Sequence, residues 1–131
     1  MSQLNWAELL GWEKEQFEDL CLIGYSYLKQ GHYEIAQKFF DALVILEPEN
    51  TYHKQTLGAL HLQTGDYAKA LSYLESALRE TPDHIPTLLN RTKALFALGY
   101  KRQALASAQR LAYHPDPKTA NQVRALLLSH A

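Results

Sequence analysis

From residue 51 onward the apolar positions follow a helical rhythm. Leu57, Leu60 and Leu62 recur with the small Gly58 among them, which predicts a first helix from Thr51 to about Thr64, capped by Asn50 or Thr51. Gly65 and Asp66 interrupt the pattern. It resumes at Ala70, Leu71, Leu74, Ala77 and Leu78, which predicts a second helix from about Tyr67 to Arg79, stopped by Pro82. Glycine accepts the turn that L-residues resist. Gly58 and Ala70 are small where two helix backbones are expected to cross closely.

This hairpin recurs. Gly31, Gly65 and Gly99 are spaced by 34 residues, as are Ala36, Ala70 and Ala104. The first two units also share Gly24/Gly58, Leu28/Leu62, Tyr33/Tyr67 and Pro48/Pro82, while the third keeps Gly, Ala and Leu71/Leu105. The period and its residues resemble the tetratricopeptide repeat. The expected fold is all-α: a right-handed superhelix of three helical hairpins, at 17–50, 51–84 and 85–118.

A stack of hairpins leaves apolar ends that need covers. In the segment PDPKTANQVRALLLSHA, Asp116 is placed to cap a helix whose first residue is Pro117. Ala120, Val123 and Leu127 form its packing stripe, flanked by Leu126, and residues 119–131 are read as the C-terminal capping helix. At the other end, residues 1–16 form an arm. Asn5 and Glu8 make a capping box for a short helix through Leu10. Trp6, Leu9, Leu10 and Trp12 then cover the first repeat or serve a partner.

Composition excludes several function classes. The chain has 131 residues, is 47% hydrophobic and 21% charged, and carries a formal net charge of -1. That suits one globular domain and gives no electrostatic footprint for nucleic acid. The single cysteine, Cys21, excludes an internal disulfide framework and fits a reducing compartment. No apolar run is long enough to span a membrane, and the first twenty residues lack the basic start and apolar stretch of a leader. The expectation is a cytoplasmic protein.

Catalytic and metal-binding signals are lacking. The six histidines are scattered, mostly at expected turns or helix ends. No HExxH occurs, no Cys/His cluster has metal spacing, and GYSYL lacks the second glycine of a nucleophile elbow. Cys21 reads as a buried small apolar residue. The expectation is a non-enzyme without a cofactor.

The resemblance to tetratricopeptide repeats implies that the first helix of each hairpin lines a peptide-binding groove. The matching positions are Glu18, Cys21, Tyr25, Leu28 and Lys29, then Tyr52, Gln55, Ala59, Leu62 and Gln63, then Pro86, Leu89, Lys93, Phe96 and Ala97. For Leu28, Leu62 and Phe96, core and groove both stay open; Tyr25, Tyr52 and Lys93 are the stronger groove candidates. The carboxylate clamp of co-chaperone members has no counterpart. Cys21, Tyr25, Thr56, Pro86 and Asn90 occupy those positions, and none supplies a cation.

Within the family, Gly31/Tyr33/Ala36, Phe40/Ala42/Leu43 and Leu57/Gly58/Ala59 resemble the three-repeat chaperones of bacterial type III secretion, in the translocator-chaperone branch. The closing DPKTANQVRALL is instead similar to the needle-subunit chaperones. Either branch implies a protein client: an extended apolar segment of a translocator, or the amphipathic helix of a needle protein with a small helical co-chaperone. A generic repeat scaffold, and a homodimer through the N-terminal helix, stay open beside these.

Overall fold

A computed structural model describes residues 5–130. Eight helices account for most of them: α1 (Trp6–Leu10), α2 (Lys14–Lys29), α3 (Tyr33–Leu46), α4 (Thr51–Thr64), α5 (Tyr67–Glu80), α6 (Ile85–Ala97), α7 (Lys101–Ala112) and α8 (Pro117–Ser129). From α2 onward each helix packs on the next. α4 also touches α6, and α6 touches α8, so the first helices of the second and third hairpins and the last helix share one side.

The hairpin turns have one design. Gly31, Gly65 and Gly99 adopt φ of 81°, 87° and 80°. In each case the residue after glycine donates its N–H to the carbonyl five residues back: His32 to Tyr27 at 2.9 Å, Asp66 to His61 at 2.9 Å and Tyr100 to Leu95 at 3.0 Å. These bonds satisfy carbonyls that a helix end would otherwise leave bare. A Cβ at any of the three glycines would meet no atom within 4 Å. Glycine stands there for its backbone and not for space.

Side-chain caps set the helix starts. Asn50 accepts from Tyr52 N–H at 3.1 Å, Asp66 from Lys69 N–H at 3.3 Å, and Asp116 from the N–H groups of Lys118 and Thr119. Asn5 accepts from Glu8 N–H at 3.1 Å. The reciprocal arm of a capping box is found one helix later, where Gln16 Oε1 accepts from Glu13 N–H at 2.6 Å.

The core is built between successive hairpins. Ala36, Phe40 and Leu43 of α3 bury Leu57 and Leu60 of α4. Ala70 and Leu74 of α5 meet Ala94 of α6. Leu89, Leu95 and Phe96 of α6, Ala104, Ala108 and Leu111 of α7, and Val123 of α8 form the third cluster. Leu126 and Leu127 of α8 pack at its edge, so the last helix covers the third hairpin. At the opposite end Trp12 packs edge-on to Phe17 at 5.1 Å, while Leu9 and Leu10 of α1 remain exposed.

Two polar residues lie inside this apolar frame. His53 lies in the first turn of α4 and His61 in its last, near helix ends as the sequence suggests for most of the histidines, yet both are buried. His53 Nε2 lies 2.7 Å from Glu47 Oε1, and His61 stacks parallel to Tyr73 at 5.6 Å. Polar ties also fasten neighbouring helices. Thr51 and Lys54 both bond Glu80, Gln55 donates to Thr81 at 3.1 Å, and Thr92 meets Ser107 at 2.6 Å.

Candidate functional site

Successive residues of α2 at three- and four-residue spacing share one face. Glu18, Cys21, Leu22 and Tyr25 thereby meet Tyr52, at the start of α4, around a shallow depression of about 310 Å³. Its walls are apolar apart from Glu18 and the phenol groups. Leu22 is 64% exposed, Tyr52 43% and Tyr25 39%, so among the described residues no side chain fills it. Tyr52 is held from behind by Phe40, whose ring lies edge-on at 6.4 Å. Lys29 extends back over Tyr25, with Nζ 5.7 Å from the ring centroid, a cation–π contact that orients both side chains.

Burial pushes the Cys21 thiol above its ordinary value, and the nearby Glu47 carboxylate pushes it further. The thiol stays protonated and is a poor nucleophile at neutral pH. Burial likewise raises the Tyr52 phenol, which keeps its hydroxyl as a hydrogen-bond donor. The depression therefore offers apolar surface, two phenols and a weakly polar sulfur. That is chemistry for binding.

A second depression, of about 630 Å³, lies further along the same side. Ala59, Leu62 and Gln63 of α4, Tyr67 at the start of α5, and Asn90, Lys93 and Ala97 of α6 line it together with Leu126 of α8 and His130 just beyond its end. The imidazole of His130 stacks on Phe96 at 4.4 Å and closes the far edge.

The fifteen positions assigned to the groove from the sequence take different places: Glu18 lines the first depression, Gln63 and Ala97 line the second, and Pro86 lines a further one beside the start of α8. Cys21, Tyr25 and Tyr52 line the first depression, where Cys21 is half-buried and not buried as its apolar character suggests, because the depression opens beside it; Ala59, Leu62 and Lys93 line the second. Lys29 is exposed beside Tyr25. Leu28 is half-buried against the core of the first two hairpins, and Gln55 is committed to Thr81. Leu89 and Phe96 belong to the core: each is 8% exposed, because α7 and α8 close over the third hairpin. Leu89 also reaches the rim of a depression that it shares with the start of α8.

Leu22 and Tyr67 were missed, and Asn90 was read only as a clamp position without a cation. Leu22 had a legible signal, one turn after Glu18 and three residues before Tyr25. Asn90 is half-buried, whereas Thr56, its partner in the 34-residue period, is buried. Among the described residues no group of three His, Cys, Asp or Glu side chains could hold a metal ion, and no helix is long and apolar enough to cross a membrane.

Family models described as tetratricopeptide repeat match residues 21–85 and residues 61–127. No curated protein matches the sequence. Among solved structures, yeast Tom70 is 24% identical, with a TM-score of 0.74 over 90% of this chain, which spans only 24% of that protein's chain. PcrH of Pseudomonas aeruginosa, in its complex with the chaperone binding region of PopB, is 22% identical with a TM-score of 0.74, covering 88% of this chain and 97% of that chain. The Yersinia enterocolitica type III secretion translocator chaperone SycD is 20% identical with a TM-score of 0.76, covering 98% of this chain and 99% of that chain. At such identities the likeness is one of fold.

Proposed function

This chain belongs to the tetratricopeptide repeat family, and we propose that it is a non-enzymatic, cytosolic chaperone for a type III secretion client. On this reading an apolar segment of a needle subunit or translocator rests against the side formed by α2, α4 and α6. The observation that carries the reading is the open depression around Leu22, Tyr25 and Tyr52. Apolar surface left in water by one chain is complementary to apolar surface another must hide. Tyrosines suit the task, since each ring gives contact area and each hydroxyl can bond the client's backbone.

Cys21, Tyr25 and Tyr52 form the apolar anchor site, and Leu22 joins them. Ala59, Leu62 and Lys93 continue it, with Lys29 at its rim. Leu28, Leu89, Phe96 and Gln55 shape it from behind. The complex of PcrH with the chaperone binding region of PopB supports the reading at the level of the fold. So does the fact that this chain covers nearly all of SycD.

Co-expression tests it. A chaperone solubilises a small apolar protein that is otherwise insoluble, and replacing Tyr25 and Tyr52 together with alanine weakens that complex while helicity is kept. Unchanged affinity of the double variant would remove the anchor assignment. Capture of folded partners alone would favour a generic repeat scaffold.

A second contact surface is favoured by one observation. Ile23 occupies the repeat position of Leu57. Leu57 is fully buried under α3, whereas Ile23 is 47% exposed. With Leu9 and Leu10 nearby in sequence and also exposed, this end is suited to a second copy of the chain or a small helical co-chaperone.

A further inference from the structure

Lys93 stands where two depressions meet. The one already described has apolar walls of Ala59, Leu62, Ala97 and Leu126; the other, of about 450 Å³, is bounded by Pro86, Lys118 and Gln122, and Asn90 and Lys93 line both. Lys93 is exposed and, among the described residues, forms no ion pair. By contrast, Lys54 on α4 and Arg91 on α6 are each matched by a glutamate, at 3.1 Å and 3.5 Å.

Carboxylates are missing where they would matter. The Ala59–Leu126 depression has none in its lining. The other has Asp116, whose oxygens already accept from the N–H groups of Lys118 and Thr119 and from the Thr119 hydroxyl. The remaining polar groups are the amides of Gln63, Asn90 and Gln122, the imidazoles of His114 and His130, the hydroxyls of Tyr67 and Thr119, and the second ammonium of Lys118, so none of them is a free carboxylate. An unpaired ammonium beside apolar walls, with amide donors close by, is complementary to a carboxylate.

We infer that the bound segment carries an aspartate or glutamate side chain that pairs with Lys93, next to apolar residues seated against Ala59, Leu62 and Leu126. The inference rests on the binding reading above and specifies the client's chemistry. Depressions continue on both sides of Lys93, so a backbone passes through rather than ending there. A side-chain carboxylate therefore fits better than a chain terminus.

Random-peptide display against the whole protein tests this. The wild type is expected to enrich sequences in which Asp or Glu lies among Leu, Ile or Phe. Lys93→Glu shifts the preference to Lys or Arg, and Lys93→Gln abolishes the charge preference. Tyr25→Ala/Tyr52→Ala lowers recovery but leaves the acidic preference in what remains. One enriched peptide, resynthesised, loses about five-fold in affinity when its acid is replaced by the amide, and the difference shrinks at high salt. Amidating its C-terminus changes nothing. Enriched peptides without acidic preference, a preference unmoved by Lys93→Glu, or affinity that follows the C-terminus would overturn the inference and leave the binding reading standing. Failure of the wild type to enrich any peptide would overturn both.

Discussion

Gly58 of α4 lies so close to Leu74 of α5 that a methyl group on it would stand 2.7 Å from Leu74 Cδ2 and 2.8 Å from Cγ. The obstruction includes a branched carbon near the backbone, so rotating the tip of Leu74 does not relieve it. Gly58→Ala gains about 1 kcal/mol of helix propensity and loses about 1–3 kcal/mol to overpacking. The expected net effect is a loss of about 1 kcal/mol, read as a thermal midpoint lower by a few degrees. An unchanged or raised midpoint would show that α4 and α5 part without cost.

His61 makes stability depend on pH. Burial lowers its pKa below the ordinary imidazole value, and its Nδ1 has no hydrogen-bond partner. The unfolded chain therefore takes up a proton at His61 that the folded chain resists. The stabilisation is complete above about pH 6.5 and declines as pH falls from there toward the lowered folded value. Urea midpoints are expected to drop across that window, and His61→Phe, which keeps a ring against Tyr73, flattens the drop. Glu80, whose pKa is lowered by bonds from Thr51 and then Lys54, acts in a separate window. Its contribution is present above the ordinary carboxylate range and is lost as pH falls below it.

His53 and Glu47 form a pair that can be dissected. Removing the carboxylate with Glu47→Ala leaves a buried imidazole N–H without its 2.7 Å partner and costs about 1–3 kcal/mol. Glu47→Ala combined with His53→Leu is expected to recover much of that loss, since two apolar groups leave no unmet donor. A double-mutant cycle in urea measures the coupling. Additive losses would mean that the contact contributes nothing of its own.

Association through the first hairpin is tested by Ile23→Asp. Light scattering of the wild type at tens of micromolar should give twice the 14.9 kDa chain mass, and the variant the single mass. A monomeric wild type would leave the exposed Ile23 to a different protein.

The hairpins were legible because their signals are local: a left-handed glycine, a capping Asn or Asp, an alanine at the crossing. Burial of His53 and His61 was not. Their polarity argues for surface, and only the packing of Glu47 and Tyr73 against them makes an interior site tolerable. Phe96 and Leu89 show the same limit in the binding face. The period places both on the first-helix side, as it does Tyr25 and Tyr52. It does not say that α8 comes to lie over the third hairpin and leaves the first open. Position in the repeat gives a direction, and the neighbour that lies in that direction decides exposure.

The turn at Gly65 carries a consequence about chirality. Its φ of 87° and the vacant space around it exclude L-side chains by hand and not by bulk. A mirror-image residue prefers that backbone region. Chemically synthesised protein with D-alanine at 65 should therefore melt higher than the natural chain, because the unfolded state loses freedom that the turn never used. Every hairpin of the array could be stiffened in this way without touching a single packed atom.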